Sequence, residues 1–579
     1  MTPRARLGLC LALVVALYGF HVHLKTAKIF ANPTWDARDE VGQFWSEFAF
    51  HYRFAKFFAE HPVGDWGQLS LDRSVQYPDT IDDWAEFTVA MEVPVGLLYR
   101  WLQPTMPFHC FVVWYDCFVS SLSLFAVFFL ARALWRSDAA GLFASVLYAT
   151  LYPSYGRTVK NLFLREDFAM PLIILALFFT VRALQERKIR DQILAAMVWL
   201  AALASWHLTQ FVLAVGIGAA ALVYLIKGET PRVPWLVLVL AAGSVIIPVL
   251  RVKQLFISPA FCVLYSLSVA VWINGGRKRA GLVFASWLVV LLGLSALLQK
   301  SQSEYAHVYQ LFFAKLRYLG VKPDDPSKLS WEARSLWEGA FSTASSGDWW
   351  RSLGWCLPLA IVAGWKAGRM EVGRNIFVVF TLLLVPLSWM VVRYFTFLGF
   401  AAAVVAAGLI TRLLWWRAVV VVAVVWQLIA LDFEPLDRGS PDPKSYSGIV
   451  GWIRQTTPIN AVFLAHIADS PVLLAETGRP IIMHSKFENR RIRERYREML
   501  DAIYGPEEQF HTFATKYGAD YFVYDSGYLL AALDSRRYKA DKLGSLDPNC
   551  AAMLFKTGRA RHFEKVFADD RFSVFRVTR

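Results

Sequence analysis

Charge is scarce in this sequence. Asp, Glu, Lys and Arg make up 18% of its 579 residues, against 56% apolar residues and a mean hydropathy of +0.39. A water-soluble domain carries about 25% charged residues, so a wholly soluble globule is excluded. Cysteine is scarce too: of six, Cys10 and Cys262 fall in apolar runs, and Cys110 and Cys117 lie two helical turns apart on one segment, too far to bridge. That excludes a disulfide framework and a zinc pattern. The chain has no Walker motif, no Gly-x-Gly-x-x-Gly, no internal repeat and no low-complexity tract. The net charge of +14 is not a nucleic-acid signal, because membrane proteins gather Lys and Arg in cytoplasmic loops; no nucleic-acid partner is expected.

Long apolar runs are abundant. The first, Leu7 to Leu24, follows Arg4 and Arg6 and lacks the small-residue cleavage site of a signal peptide, so it reads as a retained span with a cytoplasmic N-terminus. Others follow at about 107–131, 138–154, 168–184, 192–204, 205–226, 234–250, 255–273, 280–298, 355–366, 375–392, 394–411 and 413–431, which makes thirteen spans. The loops test that count. Those expected in the cytoplasm hold Arg132 and Arg136; Arg182, Arg187, Lys188 and Arg190; Lys227 and Arg232; Arg277, Lys278 and Arg279; Lys366, Arg369 and Arg374; and Arg412 and Arg417. The first external loop, 25–87, is acidic instead. The expected architecture is a multi-pass α-helical membrane domain over 1–431 with external loops at 25–87 and 299–354. Beyond Asp432, short β-like runs (Ala461–Ala465, Pro480–Met483, Asp520–Tyr524) alternate with charged helical stretches (Lys486–Tyr504, Glu507–Tyr517), which reads as an extramembrane α/β domain over 432–579.

An ionised side chain inside a span costs about 2.5–3.5 kcal/mol on insertion scales. A transporter places such groups along its path, whereas here Asp116 and His207 are the main intramembrane examples. The other polar clusters lie at external span ends, which favours surface chemistry. One is the amphipathic aromatic segment Phe44–Phe58, in which Glu47 sits among aromatic residues that would raise its pKa and suit it to proton transfer. A solvated Glu on an interfacial helix accounts for the same residues. The second runs from Tyr155 to Phe168 and holds Arg157, Lys160 and Arg165 with Glu166 and Asp167. Fixed cations there suit a lipid-linked phosphate or, equally, lipid headgroups. Arg393 begins a span at the same face.

These residues resemble a known family. The acidic first loop, charged second loop, thirteen spans and external tail look like the GT-C superfamily, which transfers sugars from polyprenyl-phosphate carriers, and within it the Dpy-type protein C-mannosyltransferases. Ser46-Glu47-Phe48-Ala49-Phe50-His51-Tyr52-Arg53-Phe54-Ala55-Lys56 is similar to a family stretch whose Glu is regarded as catalytic. Leu164-Arg165-Glu166-Asp167-Phe168 with Pro171 resembles a second, and Arg479 to Asn489 with Ile492-Arg493-Glu494-Arg495 a third. Trp206, Gln210 and His307–Phe312 fit weaker positions. The loop from Lys315 to Trp350 matches nothing in the family, and Ser485 and Asn489 stand where Pro and Asp are expected. The oligosaccharyltransferase catalytic subunit shares the architecture, but its Trp-Trp-Asp-Tyr-Gly motif is missing; Asp348-Trp349-Trp350 reverses the order in another region.

The resemblance implies an inverting transfer of a hexose, mannose, from dolichyl or another polyprenyl phosphate to C2 of Trp in an unfolded or translocating segment such as Trp-x-x-Trp. Glu47 would be the catalytic carboxylate, and Arg157, Lys160, Arg165 and Arg393 would bind the donor phosphate. Glu166, paired with Arg165, would support them, as would His484, Trp206, Gln210 and His51. No cofactor or metal is required on this reading. An oligosaccharyltransferase-like enzyme would instead hold a divalent ion with carboxylates such as Asp36, Asp39 or Glu47, and a lipid flippase or transporter would dispense with Glu47. The expected location is the endoplasmic reticulum or a prokaryotic plasma membrane, with the site on the non-cytosolic face.

Overall fold

In the computed structural model, which describes residues 2–228, 231–273, 277–298, 302–365, 371–411, 414–429, 431, 434–439, 441–530 and 535–579, helix occupies all thirteen apolar runs. Lys366, Arg369 and Arg412 of the basic loops, and Asp432 at the expected start of the tail, lie outside the described residues. Seven of the described helices are long and apolar enough to cross a membrane: Pro3–Phe30, Phe108–Trp135, Arg165–Glu186, Thr209–Lys227, Lys278–Leu298, Val372–Met390 and Val392–Thr411. Three more, Pro234–Ile246, Pro259–Ile273 and Arg417–Ile429, are apolar but shorter. The protein is a multi-pass membrane protein, yet several expected spans are not single helices. Run 234–250 breaks where Pro248 restarts the chain after Ile246, and run 138–154 breaks at Leu151 ahead of Pro153. Hydropathy counts apolar residues, whereas proline decides whether they form one continuous rod.

The chain divides into two compact units. The first comprises Met1–Ala31, Val113–Ser301 and Ser342–Asp437, and the second Asn32–Val112, Gln302–Phe341 and Arg438–Arg579. Within the first, the Val392–Thr411 helix is the innermost, 94% of its apolar window being buried, against 6% for Lys278–Leu298. A helix apolar all round belongs in the centre of a bundle or against lipid, and these two take one place each.

In the second unit the first external loop and the tail share one core. Strands β1 (Phe463–Leu464), β2 (Tyr521–Asp525), β3 (Phe563–Ala568) and β4 (Phe572–Val577) form a sheet in the order β1-β2-β4-β3, with β1 parallel to β2 and the other pairs antiparallel. The β3–β4 hairpin escaped the sequence reading. The expected strand at 480–483 is reduced to one bridge, Ile481 to Phe463, because Pro480 has no N–H to give a ladder. On its other side Ile481 exchanges backbone hydrogen bonds with Ser74 and Tyr77. Phe50, Phe54 and Phe58, one turn apart on the Glu47–Glu60 helix, pack with Phe87, Leu474 and Ile481, joining loop to tail.

Candidate active site

Glu47 opens its helix. The residue before it, Ser46, has a φ of +55°, which costs an L-residue about 1–2 kcal/mol, and its N–H is held by the Ala468 carbonyl at 3.1 Å. The chain therefore turns sharply and delivers a carboxylate to the positive end of a helix. The same helix is seated closely on the Glu92–Leu102 helix: a Cβ at Gly96 would lie 2.6 Å from Phe58 Cβ and 2.8 Å from the Ala55 carbonyl oxygen.

Lys486 Nζ donates to Glu47 Oε1 and, at 2.7 Å, to His51 Nε2. An ammonium only donates, so His51 accepts through Nε2 and carries its proton on Nδ1. His51 Nε2 stands 3.6 Å from Glu47 Oε1. The side chains of Lys486 and His51 are 3% and 1% exposed and that of Glu47 34%, so the carboxylate is the member that faces outward. His484 lies buried against the rings of Phe50 and Phe87, and its Nδ1 accepts the Lys486 backbone N–H at 3.2 Å. Burial holds its pKa down at about 3, so the ring is neutral and shapes the turn that carries Lys486. Lys486 is the residue the sequence reading passed over, although it stands two positions beyond His484 in the matching tail stretch.

In the first unit, Pro153 starts the Tyr152–Asn161 helix, and a turn through Leu162 and Phe163 leads into the Arg165–Glu186 helix. Both turn residues are left-handed, with φ of +48° and +51°, and both are buried. Asp116 Oδ2 accepts the Phe163 N–H at 3.1 Å, and the Thr158 hydroxyl donates to Asp167 Oδ1 at 2.8 Å. Two buried carboxylates thus brace the turn, with buried Lys25 in electrostatic reach of both and donating to Ser120 at 2.8 Å. Asp116, noted as transporter-like in sequence, has a structural task here.

The braced turn sets two helices face to face. Arg157 Nε donates to Glu166 Oε1, and Arg393 Nε donates to Glu166 Oε2 at 3.1 Å. Glu166 is 2% exposed, and the Arg393 guanidinium lies 5.1 Å from the centre of the Trp206 ring. The sequence reading expected Arg165 as the partner of Glu166; the cations seated on it are Arg157 and Arg393. Consecutive helical residues diverge by about 100°, so 165 and 166 point apart. Lys160, three residues after Arg157 and on the same helix face, makes no ion pair among the described residues. Arg165 is buried, and the Gln210 amide nitrogen is buried without a hydrogen bond among the described residues. Arg157, Glu166, Arg393 and Trp206 are thus brought together, while Glu47, His51 and His484 form a group with Lys486 in their own unit. Asp36 and Asp39 accept backbone N–H bonds from Arg38 and Val41 at 2.8 and 3.0 Å. Among the described residues no three His, Cys, Asp or Glu side chains group to hold a metal ion.

The model of the Dpy19 family, described as Q-cell neuroblast polarisation, matches residues 20–322 and 378–577. The chain belongs to the Dpy19 family. No curated protein matches this Dpy19 chain in sequence. Among solved structures it is similar to the Archaeoglobus fulgidus oligosaccharyltransferase AglB in complex with an inhibitory peptide and a dolichol-phosphate, with a TM-score of 0.66 at 13% identity over 90% of this chain and 69% of that one. The same archaeal enzyme tethered to an acceptor peptide containing the NVT sequon gives 0.64 at 12% identity, over 92% and 71%. At such identities the likeness is one of fold, here GT-C. Family and fold together make this Dpy19 chain a membrane glycosyltransferase.

Proposed function

We propose that this protein moves mannose from dolichyl phosphate, or a related polyprenyl phosphate, to C2 of a tryptophan in an extended segment such as Trp-x-x-Trp, at the non-cytosolic membrane surface. The bond from the anomeric carbon to the phosphate oxygen breaks, a bond from that carbon to indole C2 forms with inversion, and the indole C2 proton leaves to a base. Positive charge grows on the sugar and negative charge on the leaving phosphate. Glu47 stabilises the first and takes the proton; Lys486 and His51 fix its orientation. Arg157, Arg393 and Lys160 neutralise the second, with Arg165 as a further cation and Trp206 and Gln210 in support. Glu166 holds two guanidinium groups in place.

The observation that carries this reading is the pair of guanidinium groups, Arg157 and Arg393, seated on the one buried carboxylate of Glu166. Such a group attracts an anion and supplies charge that a divalent ion would otherwise provide, so the proposed reaction needs no metal. Likeness in fold to an enzyme solved with dolichol-phosphate and a peptide favours a lipid-linked donor and a polypeptide acceptor. In the test, purified protein with dolichyl-phosphate mannose and a Trp-x-x-Trp peptide yields a hexose adduct that survives mild acid and peptide glycosidase. Chelation leaves the yield unchanged. An adduct on asparagine, or loss of activity with chelator, would point to an oligosaccharyltransferase-like reaction instead.

A further inference from the structure

The first unit holds a cavity of about 240 Å³ whose lining includes none of the residues assigned above to the transfer. Its walls include Tyr152 and Tyr155 from the helix that carries Arg157, Trp350 and Arg351 from the Ser346–Leu353 helix, and Trp355 and Trp426. Helical phase separates it from the Glu166 group. Tyr152 and Tyr155 lie about 140° and 160° around the helix from Arg157, so one helix shows aromatic rings to the cavity and a cation to Glu166.

Arg351 makes no ion pair or hydrogen bond among the described residues. Its guanidinium carbon lies 4.1 Å from the centre of the Tyr152 ring. The acid one turn earlier, Asp348, is committed to a capping box with the N–H and hydroxyl of Ser345. Trp350 and Trp426 are 60% and 56% exposed. Large indoles left open on an apolar helical unit are the mark of the membrane–water interface, where ring and headgroup meet. Trp350, Arg351 and Trp355 fall in 323–377, which the family model leaves unmatched, whereas Tyr152, Tyr155 and Trp426 fall in the matched stretches.

We propose that this cavity binds an anionic membrane lipid, with its phosphate on Arg351 and its glycerol and upper acyl chain against the tyrosine and tryptophan rings. One guanidinium can take one phosphate with two hydrogen bonds, and the rings cover the apolar remainder. The proposal does not depend on the transferase reading, because its test measures binding.

Full-length protein is taken from nanodiscs containing equal parts phosphatidylcholine and phosphatidylglycerol into mild detergent, and retained lipid is counted by native mass spectrometry. Wild type should keep phosphatidylglycerol over phosphatidylcholine by about tenfold, in line with a charge-assisted hydrogen-bonded pair. Arg351→Gln should remove the preference, Arg351→Lys should retain part of it, and Trp350→Ala should lower total retention. Arg136→Gln, outside the cavity, should change nothing. Equal retention of both lipids by wild type, or an unchanged preference in Arg351→Gln, would overturn the proposal. Displacement of the lipid by inorganic phosphate alone would also overturn it, by making the ligand a free anion. If Arg351→Gln proves unstable, the Arg351→Lys and Trp350→Ala results decide.

Discussion

The two acid–base groups of this protein carry opposite balances of charge. Around Glu166 one buried carboxylate meets two guanidinium groups, with Lys160 uncommitted among the described residues nearby on the helix. Around Glu47 one ammonium is divided between a carboxylate and an imidazole, and the carboxylate is the exposed partner. Burying the acid leaves a positive surface fit for an anion. Burying the cation leaves a negative oxygen fit for a developing carbocation or a proton. Which member of an ion pair is covered thus decides what the pair can do.

Breaking one group should not imitate breaking the other. Glu47→Gln should lower turnover by about a hundredfold to ten-thousandfold, the usual worth of a general base, with donor affinity unchanged. Arg393→Gln should instead weaken donor binding in an equilibrium titration, and equal effects on both quantities from both variants would end the distinction. Glu166→Ala withdraws a buried acid from two guanidinium groups and should cost about 3–5 kcal/mol in thermal unfolding, more than Glu166→Gln. Gly96→Ala should cost about 1–3 kcal/mol by forcing the Glu47 helix off its neighbour, while Gly218→Ala in the first unit, with open space around it, should not destabilise.

A further effect, spread over several pH units, is in the pH profile of the second unit. His484, held at about 3, is neutral when folded, so its contribution is complete above 6.5 and is lost as pH falls towards 3. Glu476 has the opposite sign. Burial lifts it to about 8 despite Arg454 at 3.3 Å, so it stays protonated when folded, and its contribution is complete below 4.5 and lost as pH rises through 8. Relative to wild type, Glu476→Gln should therefore gain roughly 1 kcal/mol per pH unit across 4.5 to 8. A stability difference that stays flat with pH would place Glu476 in water.

Much of the fold was legible because apolar runs and loop charge are local properties. The helices over all thirteen runs, β1, β2 and the Arg490–Ile503 and Glu507–Lys516 helices follow from composition and period. What was not legible depended on contacts distant in sequence. Ile481 bridges Phe463 as a strand residue does, yet its backbone hydrogen bonds go to Ser74 and Tyr77, and Lys486 gains meaning only beside Glu47, 439 positions away. Arg393 was readable only as an isolated interfacial cation until Glu166, 227 positions back, took its guanidinium. Asp116 stood out for being polar, but nothing local marks it as the acceptor for a strained amide at Phe163.

The core shared between loop and tail constrains how the chain is made. The rings of Phe50, Phe54 and Phe58 find Leu474 and Ile481 only after some four hundred further residues have left the ribosome, which at about 5–20 residues per second is some tens of seconds. During that interval a finished aromatic helix stands without its lid while the membrane helices are inserted. Truncation ahead of Leu474 should therefore lower the yield of folded protein before any defect in catalysis could be measured.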